Sequence, residues 1–475
     1  MRALYIYLVV LSLGAVSCKK ELANINKNPN ATDNPQPDYL LAGTEKLVTD
    51  AYWGVDNNMN SSLLFVQHWA KIQYTDPDRY IFTNSSFDSL WKAGYARGVT
   101  NLNKIISIAG EQNNTNYKGV ALTLRSWVFQ LLTDAYGDIP YKQAGNIDSF
   151  LTPKYDAQED VYKGLLNDLK TAQAALDPAG PAIAGDPLYD GNIVRWKKFT
   201  NALRLRIALR IADRDPDLSE QVLADIQAEG GAYFESNDDA ASLVYKDSPN
   251  QNPVSAIFDT REDYRISETI VDRLKALNDP RLPVYAQLTV DTPKGYKGVP
   301  NGLLTNDANS LGLSKTSRPG DYFRAPHAPG VIMSYAEVLF DLSESVARGF
   351  ISGNAADLYK QAVTASLNQY SIDTTAIKSY LAQTSVQYDA GNYKKSIGDQ
   401  KWIALFGQGL EAFAEWRRLD YPQLTPAVAG TLQGKMPMRF IYPGMEQSLN
   451  GVNYTQAEQH QGADLLTTKL WFDKN

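Results

Sequence analysis

Apolar positions recur along most of the chain with the period of an α-helix. In residues 118–136, Val120, Leu124, Trp127, Val128, Leu131 and Ala135 fall on one face; in 157–176, Val161, Leu165, Leu169, Ala172 and Leu176 do the same. Trp196, Phe199, Leu203, Ile207 and Ile211 mark another helix, with Arg206, Arg210 and Arg214 four apart on a different face. Ile266, Ile270, Val271, Leu274 and Leu277 mark a further one. Tyr335, Val338, Leu339, Leu342 and Val346 precede Gly349, and Tyr359, Ala362, Val363 and Tyr370 repeat the pattern. Trp402, Leu405, Phe406, Gly409, Phe413 and Trp416 read as the last strong stripe, one helix over 400–420.

Several of these predict antiparallel pairs. Residues 337–348, a Gly/Ser/Asn turn over 349–354 and residues 355–370 resemble a tetratricopeptide helix pair, as do 101–109 with 117–136. The 34-residue period of such repeats is not kept, so the pattern predicts a mostly α fold: tetratricopeptide-like pairs in a degenerate helical scaffold, with long loops and minor β-structure. Residues 177–192, 236–263 and 279–330 are rich in Pro, Gly and Asn. Long loops on a rigid frame are where ligand contacts are expected. Beyond Tyr421 the helical period fades, and the chain is expected to wrap over the body.

The N-terminus reads as an address. Arg2 precedes the uncharged stretch 3–16, too short to span a bilayer comfortably and right for the apolar region of a signal peptide. The sole cysteine, Cys18, follows small residues at the end of that stretch, as in a bacterial lipobox. The expected organisation is a lipoprotein signal peptide over 1–17, a lipidated Cys18 with a polar Asn- and Pro-rich tether over 18–37, and one helical domain over 38–475. No later stretch has 18 consecutive apolar residues.

Composition narrows the functions. Lys+Arg number 46 against 53 Asp+Glu, a net charge of −7, which leaves no basic excess for nucleic acid. A single cysteine excludes an internal disulfide and argues against a Cys-based metal site. The 28 Tyr and 8 Trp pack between helices or line a site that stacks flat ligands.

Motifs for catalysis are missing. Residues 407–412 (GQGLEA) match a dinucleotide-binding variant, but no strand precedes them, and small residues there fit close helix packing. His68, His327 and His460 show no metal-ligand spacing, and neither HExxH nor GxSxG occurs. Glu415 and Asp420 flank Trp416-Arg417-Arg418; salt bridging to Arg417 and Arg418 explains them better than a glycosidase pair. Asp76, Asp78, Asn306, Asp307 and Asn309 read as turn residues without calcium-loop spacing. No cofactor and no metal are expected.

A family resemblance is carried by segments spread over nearly all of the mature chain. They are 26–30 (NKNPN), 131–141 (LLTDAYGDIPY), 196–211 (WKKFTNALRLRIALRI), 266–286 (ISETIVDRLKALNDPRLPVYA), 333–340 (MSYAEVLF), 400–418 (QKWIALFGQGLEAFAEWRR), 438–450 (MRFIYPGMEQSLN) and 468–472 (TKLWF). In this order they resemble the SusD/RagB family of nutrient-binding outer-membrane lipoproteins, on its SusD-like branch. The resemblance implies a helical body, lipid-anchored at the outer membrane of a Bacteroidetes-type bacterium and facing the cell exterior. It also implies a SusC-like TonB-dependent transporter as partner, covered by the lipoprotein like a lid.

The expected function is therefore binding, not catalysis: capture of an oligosaccharide and delivery to that transporter. A peptide ligand of the same transport type is the alternative, and a glycoside hydrolase a more distant one. Candidate ligand residues are Trp53, Trp69, Tyr74 and Tyr80, aromatics among polar residues, with Asn252, Arg261, Asp263 and Tyr322 from the long loops. Trp69 and Tyr74 have core packing as their alternative. Trp53 enters a polar, Asn-rich stretch without helical period, so it is expected to be exposed unless a ligand or the transporter covers it.

Overall fold

The computed structural model describes residues 35–146 and 149–474. The signal peptide, Cys18 and nearly all of the tether lie outside the described residues.

Each predicted stripe is a helix, and the caps show why it begins where it does. Helices α1 (Pro37–Trp53), α2 (Thr100–Glu111) and α3 (Thr115–Tyr136) open the body, and α4 (Gln158–Ala175) follows. The Asn114 side chain accepts from the Tyr117 backbone N–H at 3.1 Å and starts α3. Gly137 stops it at φ +90°, where an added Cβ would lie 2.1 Å from the Gln461 side chain. Asn192 caps α5 (Ile193–Ile211), and Asp215 caps α6 (Pro216–Ala228), which has Pro216 in its first turn. Helix α7 (Glu268–Ala276) is capped by Ser267. Helices α8 (Tyr335–Ala347), capped by Ser334, and α9 (Ala355–Gln369), capped by Asn354, form the predicted pair. Helices α10 (Tyr393–Ala404) and α11 (Gly409–Leu419) close the frame.

Helices adjacent in sequence pack together: α2 on α3, α3 on α4, α5 on α6, α8 on α9. Their stripes merge into one core running from Leu41 to Phe472, with Trp127 and Trp196 fully buried. Among the described residues there are two sheets, each of two antiparallel strands. Strand β1 (Trp69–Lys71) pairs with β3 (Tyr264–Ile266), and β2 (Ala241–Leu243) with β4 (Gly330–Met333).

Three details differ from the pattern. Ile266 belongs to β3, not to a helix; α7 begins two residues later. The helix expected over 400–420 is two helices. Gly407 breaks it with a left-handed φ of +89°, and a side chain is excluded there because Phe323 and Trp53 press to 3.1 and 3.2 Å of where a Cβ would be. Asn58 fixes the break, donating to the Gly407 carbonyl at 3.1 Å and accepting from the Gly409 N–H at 2.9 Å. Arg206 and Arg210, placed on a separate face by their spacing, are fully buried.

These arginines enter a network of charges inside the helical frame. Arg206 grips Glu337 through two bonds of 2.6 and 2.8 Å. Arg210 pairs with Asp134, Glu411 and Glu415, and Lys401 lies between Asp341 and Glu415. Arg418 bonds Glu344 and Glu415 at 2.7 Å each. Buried charges persist only when paired this fully. Glu415 therefore pairs with Arg418 as expected, but Arg417 does not join it. Its guanidinium donates to the backbone carbonyls of Phe413, Met438 and Asp134.

Candidate functional site

The β1–β3 pair carries a polar and aromatic cluster that opens to solvent. The register sets Lys71 opposite Tyr264 and Trp69 opposite Ile266. Beyond β1 the backbone bends, and Tyr74 takes a left-handed φ of 51°. That bend throws the Tyr74 ring outward, 69% exposed. The Arg261 guanidinium lies 5.5 Å from its centroid.

Arg261 is held in place from beneath. Its Nε and NH2 each donate to one oxygen of Asp263 at 2.8 Å. The buried Lys71 ammonium pairs with the same carboxylate, approaches the Asn60 side-chain oxygen at 3.4 Å and sits 3.9 Å from the Tyr264 centroid. The Tyr264 hydroxyl donates to Asn60 at 2.7 Å. Burial alone raises the Asp263 carboxyl, but the bonds from Arg261 and the Lys71 charge outweigh it and hold it below the usual carboxylate range. Burial pulls the Lys71 ammonium down, against the attraction of Asp263. The bidentate bond raises Arg261 further. The site thus presents one exposed ring and one oriented guanidinium, with its other charges neutralised below.

Four candidates meet here: Trp69, Tyr74, Arg261 and Asp263. Trp69 is not at the surface. It lies under the cluster, with Phe258 and Tyr264 each 6.1 Å away by ring centroid. Asn252 supports the cluster from a distance: its Oδ1 accepts from the Val254 N–H and caps the short helix Pro253–Phe258, whose last ring touches Trp69.

Three candidates lie elsewhere. Tyr80 is buried against Phe65, with its hydroxyl accepting from the Ala427 N–H at 3.0 Å. Trp53 is buried, contrary to its expected exposure, and its indole N–H donates to the Val331 carbonyl at 3.1 Å. The polar stretch after it does not open to water. It coils into the π-helical segment Val55–Ser62, whose Asn57 and Ser61 side chains bond backbone carbonyls of Ala51 and Asp56. Tyr322 is half-buried, with ring centroids 5.1 Å from Phe323 and 5.0 Å from Tyr370.

Lys71, Asn60, Phe258 and Tyr264 were not singled out by sequence. The alternation Trp69-Ala70-Lys71 and the neighbours Asp263-Tyr264 were the available signal: two short strands whose faces meet only once paired.

Glu415 and His68 are both committed to the core. Glu415 is saturated by Arg210, Lys401 and Arg418, and these cations hold its carboxyl well below the usual carboxylate range despite burial. Such a carboxyl holds no proton to give at neutral pH. His68 is buried and its pKa lowered to about 3, a neutral ring bonded to the Trp402 carbonyl. Among the described residues, no three His, Cys, Asp or Glu gather as metal ligands, and no helix is long and apolar enough to cross a membrane.

Comparison with known proteins follows the same lines. The model of the SusD-like family described as starch-binding and associating with the outer membrane matches residues 29–443. Among solved structures, a chitin-binding protein is 30% identical, covering 93% of this chain and 100% of its own, with a TM-score of 0.84. A chitin-binding SusD homolog from Flavobacterium johnsoniae, 24% identical, covers 92% of this chain and 99% of its own at a TM-score of 0.82. A SusD homolog from Bacteroides uniformis shares the fold at 24% identity, with 92% and 100% coverage and a TM-score of 0.83. Among curated proteins, none matches this chain. With a family model covering most of its length and a relative this similar over its whole extent, the chain belongs to the SusD-like family.

Proposed function

We propose that the protein binds glycans at the outer membrane, capturing an oligosaccharide on the Tyr74–Arg261 face. The observation that carries this reading is the exposed Tyr74 ring beside a guanidinium pinned by Asp263. A pyranose lays its C–H face on such a ring, while its hydroxyl or acetamido oxygens accept from an oriented donor at the edge. The chitin-binding relative at 30% identity makes β-linked N-acetylglucosamine oligomers the first ligand to test. Calorimetric titration with chitin oligomers, malto-oligosaccharides and short peptides tests the reading. Saturable binding of one glycan series, without new reducing ends, supports it; binding of peptides alone, or glycan cleavage, contradicts it.

In this reading Cys18 carries the lipid, the body faces the cell exterior, and the ligand passes to a SusC-like TonB-dependent transporter. Cys18→Ala is then expected to move the protein from the membrane to the soluble fraction in cells lacking that transporter, with the melting temperature of the body unchanged. Unaltered membrane fractionation contradicts the anchor.

A further inference from the structure

The Tyr74 face is one-sided in its hydrogen bonding: its carboxylate and amide oxygens are spent inward. Asp263 takes Arg261 Nε on one oxygen, and Arg261 Nη2 and the Lys71 ammonium on the other. The Asn60 side-chain oxygen takes the Tyr264 hydroxyl at 2.7 Å and faces the Lys71 ammonium at 3.4 Å. An ammonium has only donors, so the Asn60 atom turned toward it is the oxygen, and the amide N–H groups are its unspent end. Glu262, beside Asp263 in the chain, is closed in the same way, with Arg318 paired to both of its oxygens. Asp56, Asp76 and Asp259 are exposed on the flanking segments, and among the described residues none is in ion-pair contact with Arg261.

The donors are not spent. Asp263 takes the Nε–H and one N–H of Nη2, and among the described residues the other N–H groups of Arg261 have no hydrogen-bond partner. The Asp263 fork fixes their direction on a side chain 39% exposed. The guanidinium lies 5.5 Å from the Tyr74 centroid, so a sugar stacked on that ring brings a ring substituent to its edge. A substituent that accepts is bound there. One that only donates finds no free carboxylate or amide oxygen and meets a fixed positive charge. Lys71 and Arg261 against Asp263 leave this cluster positive in a chain of net charge −7. The molecule as a whole attracts a cation; this point on it repels one. A carboxylate substituent would also accept, but an anionic oligomer is repelled by the chain's net charge, whereas an acyl carbonyl brings the acceptor without the charge.

We propose that Arg261 selects the sugar at the Tyr74 ring by its nitrogen substituent: an N-acetyl group, whose carbonyl accepts, is held, and the free ammonium of the de-N-acetylated sugar is refused. The proposal rests on the glycan reading above and narrows it to N-acylated amino sugars.

The test is calorimetric titration of the full-length protein with chitin oligomers and with fully de-N-acetylated oligomers of the same length. The pH is one at which the free amines are protonated, and the ionic strength is about 0.15 M, where distant charges are screened. The acetylated series is expected to bind about tenfold or more tightly, the size of a like-charge contact a few ångströms across in a partly solvated site. Net charge alone predicts the opposite order. Arg261→Gln keeps an amide donor and leaves Asp263 its Lys71 partner. It is expected to abolish or reverse the preference, with a melting temperature close to wild type. Equal affinities in the wild type, tighter binding of the free amines, or binding of neither series overturns the proposal, and this comparison needs no variant to fold. A preference that Arg261→Gln retains places the selection on other residues and overturns it as well. The glycan reading itself is read separately: if Tyr74→Ala weakens chitin-oligomer binding while the wild type shows no preference, only the selectivity fails. If Tyr74→Ala binds as wild type, the reading of this face fails and the proposal with it.

Discussion

The helical frame and the Tyr74 face are built from the same parts, used in opposite ways. Both pair arginine with carboxylate, and both pack aromatic rings against the charges. Inside the frame, Arg206, Arg210, Lys401 and Arg418 are sealed among six carboxylates, and nothing is left to offer a ligand. At the face, Asp263 and Lys71 are buried while Arg261 keeps 39% of its side chain exposed and Tyr74 points into solvent. What makes the site is not the residue types but the direction in which the pair is closed. The frame's pairs orient helices; the face's pair orients one guanidinium outward.

The sharpest break of this comparison is expected inside the frame. Arg210→Ala strips a shared cation from Asp134, Glu411 and Glu415; Glu411 keeps Arg206 and Glu415 keeps Lys401 and Arg418, while Asp134 loses its ion-pair partner. Removing one member of a buried pair costs about 3–5 kcal/mol, the range expected for this variant. Chemical denaturation is the measurement; a stability loss below about 1 kcal/mol, the surface-pair range, would mean the network is solvated.

Trp127→Ala comes next. Its indole is fully buried, with the Tyr52 ring centroid 5.9 Å away, and a large-to-small change there costs about 3–5 kcal/mol. The melting temperature is expected to fall equally with and without glycan. Wild-type stability with lost binding would move Trp127 from frame to site.

A smaller effect lies in the pH dependence of stability. Burial, with Glu415 and Glu337 nearby, outweighs Lys401 and pushes the Asp341 carboxyl from 3.8 up to about 7. A carboxyl that binds its proton more tightly when folded loses stability as pH rises from about 4 to about 7, with the full penalty above that. Glu344 runs the other way. Arg418 and Arg348 overcome its burial and hold it at about 2, so its contribution is present above about 4.5 and lost as pH falls toward 2. Stability is therefore expected to peak on the acid side of neutrality, and Asp341→Asn to flatten the limb between about pH 4 and 7. Denaturation midpoints across that range check the sign; an unchanged slope in the variant would remove Asp341 as its cause.

The frame was legible in the sequence because one repeated signal carries it. Val120, Leu124, Trp127 and Leu131 recur at helical spacing, and the caps Asn114, Asn192, Asp215 and Ser334 stand just before each stripe. The face was legible only in pieces. Tyr74, Arg261 and Asp263 come from segments nearly 190 residues apart that meet through a three-residue strand pair too short to leave a periodic mark. Trp53 shows the converse failure. Polarity after it implied solvent, but Asn57, Asn58, Ser61 and Ser62 spend their polar groups on backbone partners, and the stretch is buried. The break at Gly407 was hidden because the Asn58 clamp that stabilises it lies some 350 residues away.

The central claim is that the Tyr74–Arg261 face captures the glycan, and calorimetry on Tyr74→Ala tests it most directly. The ring is exposed and carries none of the core, so the melting temperature is expected to stay at the wild-type value. Affinity for the best-binding chitin oligomer is expected to fall by about 1–3 kcal/mol, tenfold being 1.4 kcal/mol. Wild-type affinity in the folded variant, with binding intact, would contradict the account and place the glycan elsewhere on the molecule.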